Sequence, residues 1–134
     1  LAGAVLAKLA YHVYAEQYLR PIKERSEAIA CRSNLKQLAL AALVWANDHE
    51  STHYPTNFVM MRDAIVTPRI LVCPADHQNP MLTVDGWTAF DFKHSSYEIL
   101  PPAIAIGNES RAFIRCKQHG VACDGTGTPI ALDQ

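Results

Sequence analysis

The sequence has no uninterrupted apolar run long enough to cross a membrane. Residues 1–15 begin with an apolar stretch, but Lys8 and His12 interrupt it and Glu16 follows, whereas a spanning helix needs about 20 mostly apolar residues. The stretch also lacks the basic region and the small-residue cleavage site of a signal peptide. We interpret it either as the remainder of a longer membrane helix or as an amphipathic helix.

Runs of positive charge and catalytic signatures are absent too. The chain has 12 Lys and Arg against 13 Asp and Glu, a formal net charge of -1, which gives no reason to expect a nucleic-acid partner. No glycine-rich phosphate loop, His-Glu-x-x-His helix or Gly-x-Ser-x-Gly turn occurs. We therefore predict that the protein is not an enzyme.

The sequence does contain enough apolar residues for a core. Hydrophobic residues make up 49% of the chain. Its length of 134 residues is that of one small domain, and we predict a single domain over 1–134. Residues 1–49 are predicted to form a long helix, because apolar residues recur in steps of three and four. Pro21 either kinks this helix or lies in the first turn of a second one. We expect the packing face to contain Leu35, Leu38, Ala42 and Trp45.

Residues 50–134 are predicted to form the globular part, with loops and a β-sheet. The stretch 51–93 is irregular and rich in proline; residues 57–65 are compatible with a short helix, and 69–73 form a β-like run. Strands are predicted at 96–100, 111–116 and 121–123, with a tight turn at 117–120 between the last two. Three strands alone are marginal, so the helix must supply the other wall of the core. The predicted class is α+β.

The chain has four cysteines, Cys31, Cys73, Cys116 and Cys123. In an oxidising compartment they allow up to two disulfides in three pairings; in a reducing one they are buried apolar residues or metal ligands. We favour a bridge between Cys73 and Cys116, which would close a loop of about 40 residues. Cys31 is then expected to be buried as a small apolar residue.

The alternative is a metal site. Cys116, His119 and Cys123 place three zinc-type ligands within eight residues, and Cys73 with His77 could add one or two more. Paired Cys-x-x-Cys units, usual in structural zinc sites, are missing, so we favour the interpretation without metal. A small Cys/His zinc-binding module is the alternative function.

The segment 31–38, CRSNLKQL, resembles the helix region of type IV pilin-like proteins. The similarity is to type II secretion pseudopilins, including the prepilin-like proteins of Verrucomicrobia and Planctomycetes. Later segments resemble that group in the same order: an aromatic-Ala-x-Asp stretch at 45–48 leading to Pro55, Cys-Pro-x-Asp at 73–76, Ser-Tyr at 96–97, and His-Gly at 119–120 before Asp-Gly at 124–125.

This resemblance implies a structural subunit of a type II secretion pseudopilus or type IV pilus-like filament, without catalysis. Its partners would be other pilin-like subunits, with self-association through the N-terminal helix. The intact precursor would be anchored in the inner membrane, with the globular part in the periplasm. We predict no cofactor. The resemblance implies calcium as an alternative, for which Asp124, Asp133 and the backbone carbonyls at 125–128 are the available donors; two carboxylates are few for that ion.

Overall fold

The first third of the chain is a single long helix. In the computed structural model, which describes residues 1–102 and 104–130, α1 covers Ala2–Tyr14 and α2 covers Arg20–Asp48. The intervening Ala15–Leu19 is a π-helical turn. The three parts follow one another directly, so the helix runs from Ala2 to Asp48.

The π-helical turn ends two residues before Pro21. Proline has no N–H for the usual α-helical hydrogen bond, and its ring crowds the preceding turn. The Arg20 N–H donates to the Ala15 carbonyl, five residues earlier, which is the wider spacing of a π-turn. Pro21 itself lies in the first turn of α2, as in one of the two predicted alternatives, but α2 continues the preceding helix without a break.

The globular part contains a four-stranded antiparallel sheet in the order β1-β2-β3-β4. The strands are β1 Tyr97–Ile99, β2 Ala112–Cys116, β3 Ala122–Asp124 and β4 Pro129–Ile130. The predicted α+β class is confirmed, as are the first three strands. A tight turn at 117–120 joins β2 to β3; its Gly120 N–H donates to the Cys116 carbonyl at 2.9 Å, and Gly120 has a φ of 64°. The sequence does not predict β4, because a strand of two residues is too short to show alternating apolar and polar side chains.

The stretch before the sheet differs from the prediction. Residues 69–73 do not form a strand, because Pro68–Leu71 is a 3-10 helix whose first residue, Pro68, has the φ that a helical turn needs. Thr67 caps this turn, since its hydroxyl accepts a hydrogen bond from the Arg69 N–H. Within 57–65 only Arg62–Ala64 is helical, again as a 3-10 turn.

The core lies between α2 and the sheet. Leu35, Leu38 and Ala42 are buried in it, whereas Trp45 is half-buried at its edge. From the other side the core receives residues of the sheet and of the preceding loops, among them Tyr54, Met61, Leu71, Tyr97, Phe113 and Ile114. The helix thus supplies the wall that a short sheet lacks.

Candidate functional site

Three cysteines and one histidine meet in one cluster inside the globular part. Cys31 comes from α2, Cys73 follows the Pro68–Leu71 turn, Cys116 ends β2, and His119 lies in the turn between β2 and β3. Their sulfur and imidazole nitrogen atoms all lie within 4.8 Å of one another. The cysteines are buried and His119 is half-buried. We call these four residues the Cys3His cluster.

Local structure brings each of the four residues to this place. Cys31 lies one helical turn before the buried Leu35, on the face of α2 that meets the sheet. Cys116 is the register partner of Tyr97 on β1, and the tight turn that follows returns His119 beside it. The segment before Cys73 is held next to the start of β1, since the N–H of Ser96, the residue before this strand, donates to the Leu71 carbonyl at 2.9 Å.

The two distances from the imidazole nitrogen to sulfur atoms of the cluster match those of a tetrahedral ligand set. His119 Nδ1 lies 3.3 Å from Cys73 Sγ and 3.6 Å from Cys116 Sγ. Zinc bonds of about 2.3 Å to sulfur and about 2.0 Å to nitrogen place tetrahedral ligand atoms roughly 3.5–3.8 Å apart. Three thiols and an imidazole are also donors that zinc prefers.

Hydrogen-bond donors surround the sulfur atoms. The Tyr97 hydroxyl donates to Cys31 Sγ at 3.5 Å and accepts from Asn34 Nδ2 at 3.2 Å. Backbone N–H groups of Ala75 and His119 donate to the sulfurs of Cys73 and Cys116 respectively. Such donors stabilise a thiolate and hold its orientation.

The thiols affect one another's ionisation. Hydrogen bonds from Cys31 and Cys73 hold the pKa of Cys116 below its ordinary range. The hydrogen bonds that Cys31 and Cys73 make with Cys116 raise the pKa of both residues above the ordinary value of a thiol. Burial, and secondly the contact with Cys31, raises the pKa of Tyr97, so its hydroxyl remains a donor. The cluster therefore favours one thiolate, at Cys116.

The cluster changes the assignments made from the sequence. Cys73 and Cys116, the predicted disulfide pair, are neighbours in it, but all four cysteines are free thiols in the structure. Cys31 is not simply an apolar core residue, because its sulfur is one of the four clustered donors. His77 lies elsewhere, with Nε2 2.8 Å from Glu27 Oε1.

Cys123, the third member of the zinc alternative, lies outside the cluster. It pairs with Ile114 on β2, two residues before Cys116, so it sits further along the sheet. Its sulfur is 3.7 Å from the Leu35 carbonyl oxygen, to which it donates a weak hydrogen bond. The structure therefore brings Cys116 and His119 together with Cys31 and Cys73, and not with Cys123.

The predicted calcium donors lie at the turn between β3 and β4. Asp124 Oδ1 accepts hydrogen bonds from the N–H groups of Thr126 and Thr128, each at 2.9 Å. In this arrangement the Asp124 carboxylate stabilises the turn between β3 and β4 through these hydrogen bonds. Asp133 lies outside the described residues.

The N-terminal part of the long helix forms a second candidate site. Every residue from 1 to 26 is exposed except the half-buried Ala15, so this part projects beyond the core. No helix in the described part of the chain is sufficiently long and apolar to cross a bilayer. Neighbouring side chains on one side, which we call the apolar helix face, are Leu6, Leu9, Ala10 and Val13.

Comparison of the chain with protein-family models, curated proteins and solved structures finds no match in any of the three. The architecture, a long N-terminal helix packed by its C-terminal half on a four-stranded antiparallel sheet, is pilin-like in shape.

Proposed function

We propose that the protein is a structural subunit of a type II secretion pseudopilus or a type IV pilus-like filament. The observation that carries this proposal is the projecting helix, which exposes large apolar side chains over its first 22 residues, from Leu1 to Ile22. Exposed apolar surface of this extent is unusual in a monomer and marks an interaction site. The pilin-like shape supports the same function.

The geometry fits packing of helices from several subunits. The projecting part is continuous with α2, whose C-terminal half is anchored in the core. Because the projecting part and the anchored part form one helix, the globular part has a fixed position relative to the projecting part. A bundle of such helices would therefore hold the globular parts in a regular arrangement around the bundle. The middle loops and the sheet would then form the outer surface of the filament.

The proposal includes a location and partners. The globular part would lie in the periplasm, and the intact precursor would be anchored in the inner membrane. The partners would be other pilin-like subunits that contribute the same kind of helix. Such a subunit performs no catalysis.

Sedimentation velocity over a range of concentrations tests the proposal. We expect the full chain to self-associate and the variant Leu9→Glu/Val13→Glu to stay monomeric with unchanged circular dichroism, because two charges on the apolar helix face oppose its burial. The control Ala4→Glu/Ala7→Glu adds the same charge on another side of the helix without removing a large apolar side chain, and it should associate like the unchanged protein. A chain that is monomeric at every concentration contradicts the proposal.

A further inference from the structure

We propose that Cys31, Cys73, Cys116 and His119 bind one structural zinc ion, through three sulfur atoms and Nδ1 of the imidazole. The four donors lie within 4.8 Å of one another, and the two nitrogen-to-sulfur distances in the structure, 3.3 and 3.6 Å, bracket the edge of a tetrahedral zinc site at about 3.5 Å. Four protein ligands close the coordination shell, which is the arrangement of structural rather than catalytic zinc.

The surroundings of the cluster are those of metal-bound thiolates. Each sulfur has a hydrogen-bond donor besides the four ligand atoms: the Tyr97 hydroxyl for Cys31, the backbone N–H of Ala75 for Cys73, and the backbone N–H of His119 for Cys116. Three thiolates around a divalent cation leave excess negative charge, which these donors disperse. Asn34 holds the Tyr97 hydroxyl in turn. Binding would release the thiol protons to solvent.

Zinc also accounts for all four residues, which a disulfide does not. A bond between any two of the three cysteines leaves the third as a buried thiol beside the bridge, and gives His119 no role. In the zinc site each residue supplies one ligand. The ligands come from α2, the loop before β1, the end of β2 and the following turn, so one ion would join the helix, the irregular middle region and the sheet.

The zinc cross-link would stabilise the part of the fold that has the least regular secondary structure. The region between α2 and β1 has no β-strand and only short 3-10 turns among its described residues, so most of its backbone hydrogen bonds lie within local turns and do not tie it to the helix or the sheet. A zinc ion bound to Cys73 would fasten this region to both Cys31 and Cys116. Small domains with limited secondary structure commonly use such a metal cross-link.

The test uses the full chain, reduced and freed of metal by a chelator. Titration with zinc against a chromophoric chelator should show one equivalent bound per chain. Titration with cobalt(II) should give the intense visible absorption and the thiolate-to-metal charge-transfer bands of a tetrahedral sulfur-rich site. Cys73→Ser and His119→Ala should each weaken zinc binding by more than the roughly 10–100-fold that loss of an outer hydrogen-bond partner causes.

Two matched variants serve as controls. Cys123→Ser removes the buried cysteine outside the cluster, and His77→Ala removes an exposed histidine; both should retain one equivalent of zinc. Full zinc binding by Cys73→Ser and His119→Ala would overturn the proposal. So would a Cys73–Cys116 disulfide, detected by mass spectrometry, in protein prepared with zinc and without reductant. If the ligand variants fail to fold, the cobalt spectrum of the unchanged protein still decides, because a spectrum without charge-transfer bands contradicts the site.

Discussion

The hydroxyl of Tyr97 donates a hydrogen bond to Cys31 Sγ across 3.5 Å, and this contact joins the first strand of the sheet to the long helix. The backbone of Tyr97 pairs with Cys116 on the neighbouring strand. Tyr97 therefore interacts with two members of the Cys3His cluster: its hydroxyl is hydrogen-bonded to Cys31, and its backbone is paired with that of Cys116. Its side chain is placed to orient the Cys31 sulfur.

Tyr97→Phe should weaken zinc binding while leaving the fold intact. The substitution removes the donor to Cys31 but keeps the buried ring, and loss of such an outer partner lowers metal affinity about 10–100-fold. Metal-free stability should fall by only about 1 kcal/mol, because Asn34 Nδ2 also reaches the Val72 carbonyl, at 3.4 Å. Competition titration and urea unfolding measure the two effects. Tyr54→Phe, a buried ring packed on Phe113 outside the cluster, should leave zinc affinity unchanged.

Leu38→Ala should destabilise the protein strongly, and Leu40→Ala should not. Leu38 is fully buried against the sheet, whereas Leu40 is 61% exposed on the same helix. Truncating a buried leucine costs about 2–5 kcal/mol, and surface changes usually stay within about 0.5 kcal/mol. Urea unfolding of both variants gives the free energies. Equal losses would mean that the helix does not pack on the sheet by this face.

The packing face of the helix was predictable because it is local in sequence. Cys31, Leu35, Leu38 and Ala42 recur at the helical period, and all four are buried. The false strand at 69–73 arose from apolar content alone. Thr67-Pro68 is a capping residue followed by a proline, which is the signature of a helical turn, and this signal could have corrected the prediction.

The Cys3His cluster could be predicted only in part. Cys116 and His119 are neighbours across a short turn, and their spacing in the sequence indicates that they can share a site. Cys31 and Cys73 reach the same place through the packing of the helix and of the 68–73 segment on the sheet, which no spacing in the sequence reports. Cys123 is close to them in sequence, yet the strand register places it beside Ile114.

Gly127→Ala should destabilise the turn between β3 and β4. Gly127 has a φ of 81°, and a Cβ there would lie 3.2 Å from the backbone Cα of Lys36. The unfavourable backbone conformation alone costs roughly 1–3 kcal/mol, and the contact with the helix adds to it. Thermal unfolding measures the loss. Gly86→Ala is the matched control, since Gly86 has a φ of -122° and open space around it; its stability should be unchanged or slightly higher.

Asp124→Asn should remove a pH-dependent part of the stability. Burial disfavours the charged carboxylate, but hydrogen bonds from the Thr126 hydroxyl and from backbone N–H groups of the turn outweigh it, so the pKa of Asp124 lies below its ordinary value of 3.8. A pKa lowered on folding means that the ionised group stabilises the native state. This contribution is complete above the ordinary pKa and is lost as the pH falls through the lower, native value.

The free energies of unfolding of the unchanged protein and of Asp124→Asn should therefore differ most at neutral pH. The difference should shrink once the pH falls below about 4. Urea unfolding with a chelator present measures it without interference from proton release at the Cys3His cluster. Thr83→Ser, a conservative change in a loop far along the chain, should follow the unchanged protein at every pH. A difference between Asp124→Asn and the unchanged protein that stays constant down to pH values near 2 would mean that the carboxylate charge does not stabilise this turn.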